Sequence, residues 1–299
     1  MALTAFAPAK VNLYLHLIGQ RPDGYHLLDS LVVFADLGDR ITAEPAAELS
    51  LQITGPEAAS LSDVGRDNLV LRAARLLAEH TGTARGAALL LEKNLPVAAG
   101  IGGGSSDAAA VLRLLAALWQ LSIGEEALRG LGARLGADLP ACLLGRAVWV
   151  SGIGDRIEPA ADLPDAGILL ANPRKELPTA AVFAARTGPF YAAGRFAPMP
   201  TDAAGLARAL MACRNDLTDA ATGLVPEIGA VLGRLARLPG ALLARMSGSG
   251  ATCFALFPDR SAAHEARAAH AAAEPQWWYA AGGLVRGEAV AGQALQIPG

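Results

Sequence analysis

The sequence predicts an α+β protein built in two parts, and three observations carry the prediction. Near the N-terminus a run of alternating apolar and polar residues meets a turn and then a second apolar run, the pattern of a β-hairpin. At Leu95–Ala109 a glycine-rich turn opens directly into a long apolar helix. Past a cluster of Gly, Asp and Pro at Gly152–Pro164, further strands and helices follow to the C-terminus. With 299 residues the chain can form one large or two medium domains with real cores. The boundary is expected near that cluster, dividing the chain into 1–155 and 156–299.

Phe6–Ile18 alternates. Lys10, Asn12, Tyr14 and His16 fall on one face and Val11, Leu13, Leu15 and Leu17 on the other, so the strand is expected to turn its apolar side to a core and its polar side to a cleft. Arg21-Pro22-Asp23-Gly24 is a turn signal, and Tyr25–Leu37 resumes as the second strand. Leu49–Ile53 is a third. Asp67 reads as the N-cap of a helix running to about His80, with Leu69, Ala73, Leu76 and Leu77 inward and Gly82 closing it. Ala87–Glu92 is a strand. The glycine turn and its helix follow, to about Leu121, and then an acidic-fronted helix, Glu125–Leu135. Gly136-Ala137-Asp138-Leu139-Pro140 is a tight corner before a strand at Ala147–Ser151.

In the second part, Gly167–Ala171 is a strand, and helices start at Thr179–Ala185, Asp202–Arg208 and Pro226–Leu235. Leu242–Met246 and Thr252–Phe257 flank a second glycine turn, Ser247-Gly248-Ser249-Gly250. Ser261–Ala273 is an alanine-rich helix and Trp278–Val285 a last strand. Thr187–Thr201, rich in Gly and Pro, is expected to be a mobile loop.

Bulk properties exclude several classes. A net charge of −3 leaves no electrostatic footprint for nucleic acid. The longest apolar run, Ala108–Leu121, is interrupted by Arg113 and is shorter than the roughly 18 residues a membrane span needs. The first ten residues carry no basic region followed by an apolar one, so no secretory signal is expected. Cys142, Cys213 and Cys253 are too few and too scattered for a disulfide framework or a metal site, and read as small buried residues. A cytoplasmic protein is expected. Lysine occurs only at positions 10, 93 and 175 while arginine is abundant, which draws attention to Lys10.

The turn Gly100-Ile101-Gly102-Gly103-Gly104-Ser105-Ser106 has the chemistry of a phosphate cradle. Glycines let the backbone reach positive φ and let a ligand approach. The free N–H groups and dipole of the following helix favour an anion, and Ser105 and Ser106 can cap the helix, reach phosphate oxygens or touch a metal. No Lys-Ser or Lys-Thr follows the glycines, which excludes a Walker A loop, and the spacing fits a dinucleotide fingerprint only loosely.

Five segments stand in a fixed order: Ala7-Pro8-Ala9-Lys10-Val11-Asn12, Arg21-Pro22-Asp23-Gly24-Tyr25-His26, the loop from Leu95 to Ala109, Gly136–Pro140 and Ser247–Gly250. Together they resemble the GHMP kinases over nearly the whole chain, and the first two resemble the branch whose substrate carries a cytidine diphosphate. The resemblance implies an N-terminal domain of the ribosomal protein S5 type, a ferredoxin-like C-terminal domain, and a cleft between them. It implies ATP on Pro96, Gly100, Gly102, Gly103, Gly104, Ser105 and Ser106, with Mg²⁺ bridging the phosphates and Ser106 as the one protein ligand it suggests. Asp138 matches the family's catalytic aspartate, the base for the attacking hydroxyl, and Lys10 its active-site lysine, which orients that hydroxyl and stabilises charge. His26 reads the base edge, Tyr25 stacks on the base and Phe183 closes its other side, with a place in the core as the alternative for Phe183. Asn12, Thr179, Gly248 and Ser249 bind the rest of the substrate. The implied partners are ATP and that small molecule, with no nucleic acid or membrane, in a monomer or homodimer. The residues between Gly188 and Pro200 align with no family pattern.

Overall fold

The computed structural model describes residues 2–61, 68–271 and 273–287. Its first sheet has six strands: β1 (Leu3–Gln20), β2 (His26–Ala46), β3 (Leu49–Thr54), β4 (Gly86–Glu92), β5 (Val148–Gly152) and β6 (Arg156–Pro159). β2 is the spine. β1 pairs with it antiparallel along one edge, while β5 and β4 take successive stretches of the other edge, at Leu28–Val32 and Arg40–Ala46. β3 is parallel to β4, as a crossover through a helix requires, here α1 (Leu69–Thr81). With α1, the helices α2 (Gly103–Leu118), α3 (Glu125–Leu135) and α4 (Leu139–Leu144) bury their apolar sides against this sheet in one cluster that includes Phe34, Ile41, Leu77, Val111, Leu114 and Leu143.

The second sheet runs in the order β10–β7–β9–β8, all antiparallel, from β7 (Gly167–Asn172), β8 (Leu243–Met246), β9 (Cys253–Phe257) and β10 (Trp278–Gly283). Four helices, α5 (Thr179–Ala185), α6 (Ala203–Met211), α7 (Thr218–Leu224) and α8 (Glu227–Leu235), lie between β7 and β8, and α9 (Arg260–Ala271) lies between β9 and β10. This is the ferredoxin-like arrangement, beside an N-terminal sheet of the expected α+β type. The second sheet is buried on both faces. Ile168, Leu170, Phe254 and Leu256 point into a layer shared with Val11, Leu31 and Val33 of the first sheet. Leu169, Ala171, Ala255 and Phe257 point at α8 and α9 with Ile228, Val231 and Ala263. Such strands read as continuous apolar runs because neither side meets water.

β1 departs from strict alternation. Its register with β2 slips between Pro8 and Ala9 and again between Asn12 and Tyr14. Each slip is a bulge that changes which residues face which side. Lys10 and Asn12 keep the cavity face, but Tyr14 turns into the shared apolar layer, where its hydroxyl donates to Asp29 Oδ2 at 2.6 Å. His16 also leaves the cleft. It bonds Ala192 O through Nδ1 at 2.9 Å and accepts from the Arg214 amide through Nε2 at 3.1 Å. The continuous polar face expected over these four residues is therefore two residues long.

Other boundaries shift for local reasons. The N-cap of α1 is Asn68, whose Oδ1 accepts from the Val70 amide at 2.9 Å; Asp67, expected to cap it, lies outside the described residues. The corner at Gly136–Pro140 leads into α4, because Pro140 sits at a first-turn position where its missing N–H costs nothing. β6 occupies part of the segment expected to be a boundary and pairs with β5. Among the described residues α7 answers to no expected element; it is a single short stretch with only Ala221 buried. Residues 187–201 form neither helix nor strand, yet they are tied down: the Tyr191 amide donates to Leu17 O, the Gly194 amide to Asp29 Oδ2, and Arg195 grips Glu158 with both terminal nitrogens.

Candidate active site

One cavity of about 860 Å³ lies where β1, the glycine loop, α4, α5 and the 247–250 turn converge. The glycine loop is shaped by close backbone contact. Gly100 and Gly102 have φ of +72° and +61°, and a Cβ on Gly100 would stand 2.5 Å from Gly250 O and 2.7 Å from Ser247 O. Gly102 is the N-cap of α2 and offers no side chain to the helix amides. The first-turn amides of Gly103, Gly104 and Ser105 thus lack an intrahelical partner, and all three residues line the cavity. Two expected members of this cradle are elsewhere. Ser106 is buried, with its hydroxyl 3.4 Å from Cys142 Sγ, and Pro96 is buried off the cavity. For Ser106 this follows from helical geometry: once α2 begins at Gly103, its fourth residue points back into the bundle.

Ser247 joins three segments. Its hydroxyl accepts from the Asn12 amide at 3.1 Å and donates to Gly100 O at 3.0 Å. From behind, Asn215 Nδ2 donates to Met246 O and Gly248 O, both at 2.8 Å, and so holds the turn. Neither role was visible from local pattern, since both partners are distant in sequence. On the cavity side, Thr179 Oγ1 and Ser249 Oγ are 2.8 Å apart.

Lys10 and Asp138 meet across 128 residues, Lys10 Nζ donating to Asp138 Oδ1 at 2.9 Å. The lysine side chain is 6 % exposed and the aspartate 50 %. Asp138 stands at the N-terminus of α4 but makes no capping bond there, so the ordinary structural role for an Asp before Pro is not its role. Asn12 donates Nδ2 to Ser30 Oγ at 2.8 Å, and its Oδ1 is buried with no partner in the protein. An unpaired buried acceptor is costly and marks a place for a ligand donor.

At the far end, Tyr25 is 62 % exposed and just outside β2, next to His26. His26 lies 5.4 Å from Phe183, ring centre to ring centre. In α5 it is Val182 that is fully buried, while Phe183 borders the cavity, which places the phenyl ring at the site's wall rather than wholly in the core. Burial, aided by the Arg186 charge, pulls the His26 imidazole below its ordinary value. Burial pushes the Cys142 thiol up to about 12 and raises Cys213 and Cys253 as well, so none of these thiols is a ready nucleophile.

Beneath the glycine loop is a cluster that sequence reading passed over. Lys93 Nζ bonds Asp39 and Asp107, the latter at 2.8 Å, and Asp39 Oδ1 accepts from the Asn94 and Leu95 amides. All three side chains are almost fully buried. Only the isolation of Lys93 as one of three lysines hinted at it. Burial works to lower Lys93, but the two carboxylates outweigh it and hold the ammonium above its ordinary value. Burial raises Asp107 from 3.8 to about 8, opposed by Lys93 and reinforced by Asp39. A carboxyl whose folded pKa exceeds its unfolded one binds a proton in the native state first, so its contribution to native stability falls as pH rises from about 4 to 8. The expected result is that melting temperature, measured by thermal denaturation over this range, rises less or falls more with pH in the wild type than in Asp107→Asn. Parallel slopes in the two proteins would contradict it.

Among the described residues no three His, Cys, Asp or Glu side chains gather, and the Ser106 hydroxyl faces Cys142.

Comparison with known proteins agrees with this fold. Residues 68–146 match the family model for the GHMP kinases N terminal domain, and residues 201–276 that for GHMP kinases C terminal. A protein of Paramagnetospirillum magneticum named 4-diphosphocytidyl-2-C-methyl-D-erythritol kinase is 54 % identical, covering 92 % of this chain and 95 % of its own. One of the same name from Rhodospirillum rubrum is 51 % identical over 97 % and 95 %. A crystal structure of 4-(cytidine 5'-diphospho)-2C-methyl-D-erythritol kinase superposes with a TM-score of 0.77 at 38 % identity, covering 95 % of this chain and all of that one. Homoserine kinase from Cytophaga hutchinsonii, 17 % identical with a TM-score of 0.70 and covering 95 % of each chain, shares the fold.

Proposed function

The chain belongs to the 4-diphosphocytidyl-2-C-methyl-D-erythritol kinases, within the GHMP kinases, and from that premise we propose that it transfers the γ-phosphoryl group of ATP to the 2-hydroxyl of 4-diphosphocytidyl-2-C-methyl-D-erythritol, a step of the non-mevalonate route to isoprenoid precursors. The observation that carries this reading is the Lys10–Asp138 pair at 2.9 Å, in one cavity with a bare helix N-terminus and the Tyr25–His26–Phe183 group.

Phosphoryl transfer asks mainly for alignment and for neutralisation of spreading charge. The amides of Gly103, Gly104 and Ser105, with the α2 dipole, receive the ATP phosphates. The substrate hydroxyl attacks the γ-phosphorus in line; its proton passes to Asp138, the new O–P bond forms, and the bond to the β-phosphate oxygen breaks to release ADP. Lys10 holds Asp138 in place and offers its remaining ammonium hydrogens to the attacking oxygen or the transferred group. The unpaired Asn12 Oδ1 accepts from a substrate hydroxyl, and Thr179, Gly248 and Ser249 border the polyol and its diphosphate. Tyr25, His26 and Phe183 take the cytosine, by stacking and edge contacts. Mg²⁺ enters as part of the nucleotide substrate, carried on phosphate oxygens and water, and no step is assigned to a protein-held metal. The same reading makes the enzyme cytoplasmic. No helix among the described residues is long and apolar enough to cross a membrane.

The test is ATP-dependent phosphorylation of 4-diphosphocytidyl-2-C-methyl-D-erythritol, with homoserine, mevalonate and galactose in parallel. Turnover confined to the cytidine compound is the expected result. Turnover on another alcohol would overturn the substrate and leave the mechanism, and ATP binding without turnover on any would overturn the kinase assignment.

A further inference from the structure

Beside His26 and Phe183 lies a second hollow, of about 580 Å³, whose outer wall includes Arg186 and Phe190; His26, Phe183 and Gly24 border both hollows. Phe190 belongs to the segment that aligns with no family pattern. The residue is 42 % exposed, yet its ring is not free: the ring centre is 6.2 Å from that of His26, and the Arg186 guanidinium lies 4.6 Å from it on the ring face. Arg186 is bonded in turn to Pro189 O, and its Nε is buried without a partner. The next residues fasten the segment to the first sheet, through the Tyr191 amide to Leu17 O at 3.0 Å, His16 to Ala192 O at 2.9 Å and the Gly194 amide to Asp29 at 2.7 Å. His26 thus touches two phenyl rings, one from α5 and one from this strap.

We propose that Phe190, held by Arg186, is a further specificity-determining residue: it fixes the plane of the His26 imidazole, and with it the direction in which one ring nitrogen meets the hydrogen-bonding edge of a pyrimidine. The inference rests on the cytidine substrate proposed above. Cytosine presents a donor at its exocyclic amine beside an acceptor ring nitrogen, and uracil presents the reverse order. A neutral imidazole carries its one donor and one acceptor on diverging nitrogens, so a ring held in one plane turns a single nitrogen to the base; its N–H suits the acceptor ring nitrogen of cytosine and opposes the ring N–H of uracil. The hydrogen-bonding groups left unpaired by the wrong base are what make such sites selective. The charge around His26 favours the neutral ring. Arg186 faces it from the strap, Gln20 across β1 and Phe183 from α5 are uncharged, and Asp23 and Arg21 in the preceding turn neutralise each other at 2.6 Å.

The experiment compares kcat/KM for 4-diphosphocytidyl-2-C-methyl-D-erythritol and its uridine counterpart in the wild type, Phe190→Ala, Phe190→Tyr and Arg186→Gln. Loosening the ring is expected to raise KM for the cytidine compound and to erode the preference over uridine by about tenfold in Phe190→Ala, with kcat and KM for ATP held. Phe190→Tyr, which keeps the ring, restores the preference, and Arg186→Gln loses part of it. A purely structural Phe190 would move both substrates equally; equal shifts, or an unchanged preference in Phe190→Ala and Arg186→Gln alike, would overturn the proposal. A wild type inactive on the cytidine compound would instead overturn the substrate reading on which it stands.

Discussion

Asp138→Asn is expected to lower kcat by about 10²–10⁴-fold, the usual weight of a positioned general base, while nucleotide affinity stays close to wild type. The geometry separates the two effects. Asp138 sits at the start of α4 with its carboxylate half in the cavity, and its hydrogen bond to protein is the one from Lys10. The unbonded first-turn amides belong to α2, a different helix. Asn fills the same space and still accepts from Lys10, so the fold and the nucleotide cradle persist while the proton acceptor is gone. Steady-state kinetics with equilibrium ATP binding reads both quantities. The pair also acts as a unit: Lys10→Met added to Asp138→Asn is expected to cost much less than the sum of the single effects, because groups in one hydrogen-bonded pair are not additive. Wild-type turnover in Asp138→Asn would remove the residue from the base role.

Gly100→Ala is the second large expected effect, and it strikes stability and nucleotide binding together. The residue holds φ at +72°, where a side chain costs about 1–2 kcal/mol. A Cβ there would also press on Gly250 O at 2.5 Å and Ser247 O at 2.7 Å. These are backbone oxygens, so the two turns must separate, and the Ser247 bonds to Gly100 O and the Asn12 amide loosen with them. The total loss is expected at about 2–5 kcal/mol, measured by denaturant unfolding, together with a raised KM for ATP. Gly82→Ala is the control. Gly82 has φ of +66° and ends α1, but nothing lies within 4 Å of where its Cβ would stand, so it isolates the conformational part. Equal losses in the two variants would show that the contact between the turns carries nothing.

Much of this was legible in the chain because the relevant signals are local. Alternation marked β1, the glycines marked the start of α2, and Pro140 marked a turn beside Asp138. What local pattern could not show was which way a side chain faces once a strand bulges or a helix begins within the glycine turn. Tyr14 and His16 share the polar phase of Lys10 and Asn12 in sequence, and a single register slip after Asn12 sends them elsewhere. Ser106 looks identical to Ser105, but one step around α2 turns it from the cavity to Cys142. Asn215, Ser247 and the Lys93–Asp39–Asp107 cluster act through partners 14 to 235 residues away, and pairings at that range leave no periodic trace. The family resemblance supplied the topology and the partner of Lys10, which composition and spacing alone did not.

β1 contributes to all three buried layers in turn, with Ala5 and Ala7 in the first, Val11 and Leu13 in the second, and Leu15 and Leu17 in the third. Arg245 further hooks Leu13 O, Leu210 O and Cys213 O, and the Val285 amide bonds Phe34 O across the two sheets. A hinge needs a seam, and swinging one sheet from the other would expose the apolar layer that both share. Parting and closing the two sheets is then a costly way to squeeze solvent out, and the arriving acceptor does so at less cost. The alcohol becomes stopper as well as reactant, and protection of ATP from wasteful hydrolysis depends on how completely that one molecule fills the opening beside Asp138.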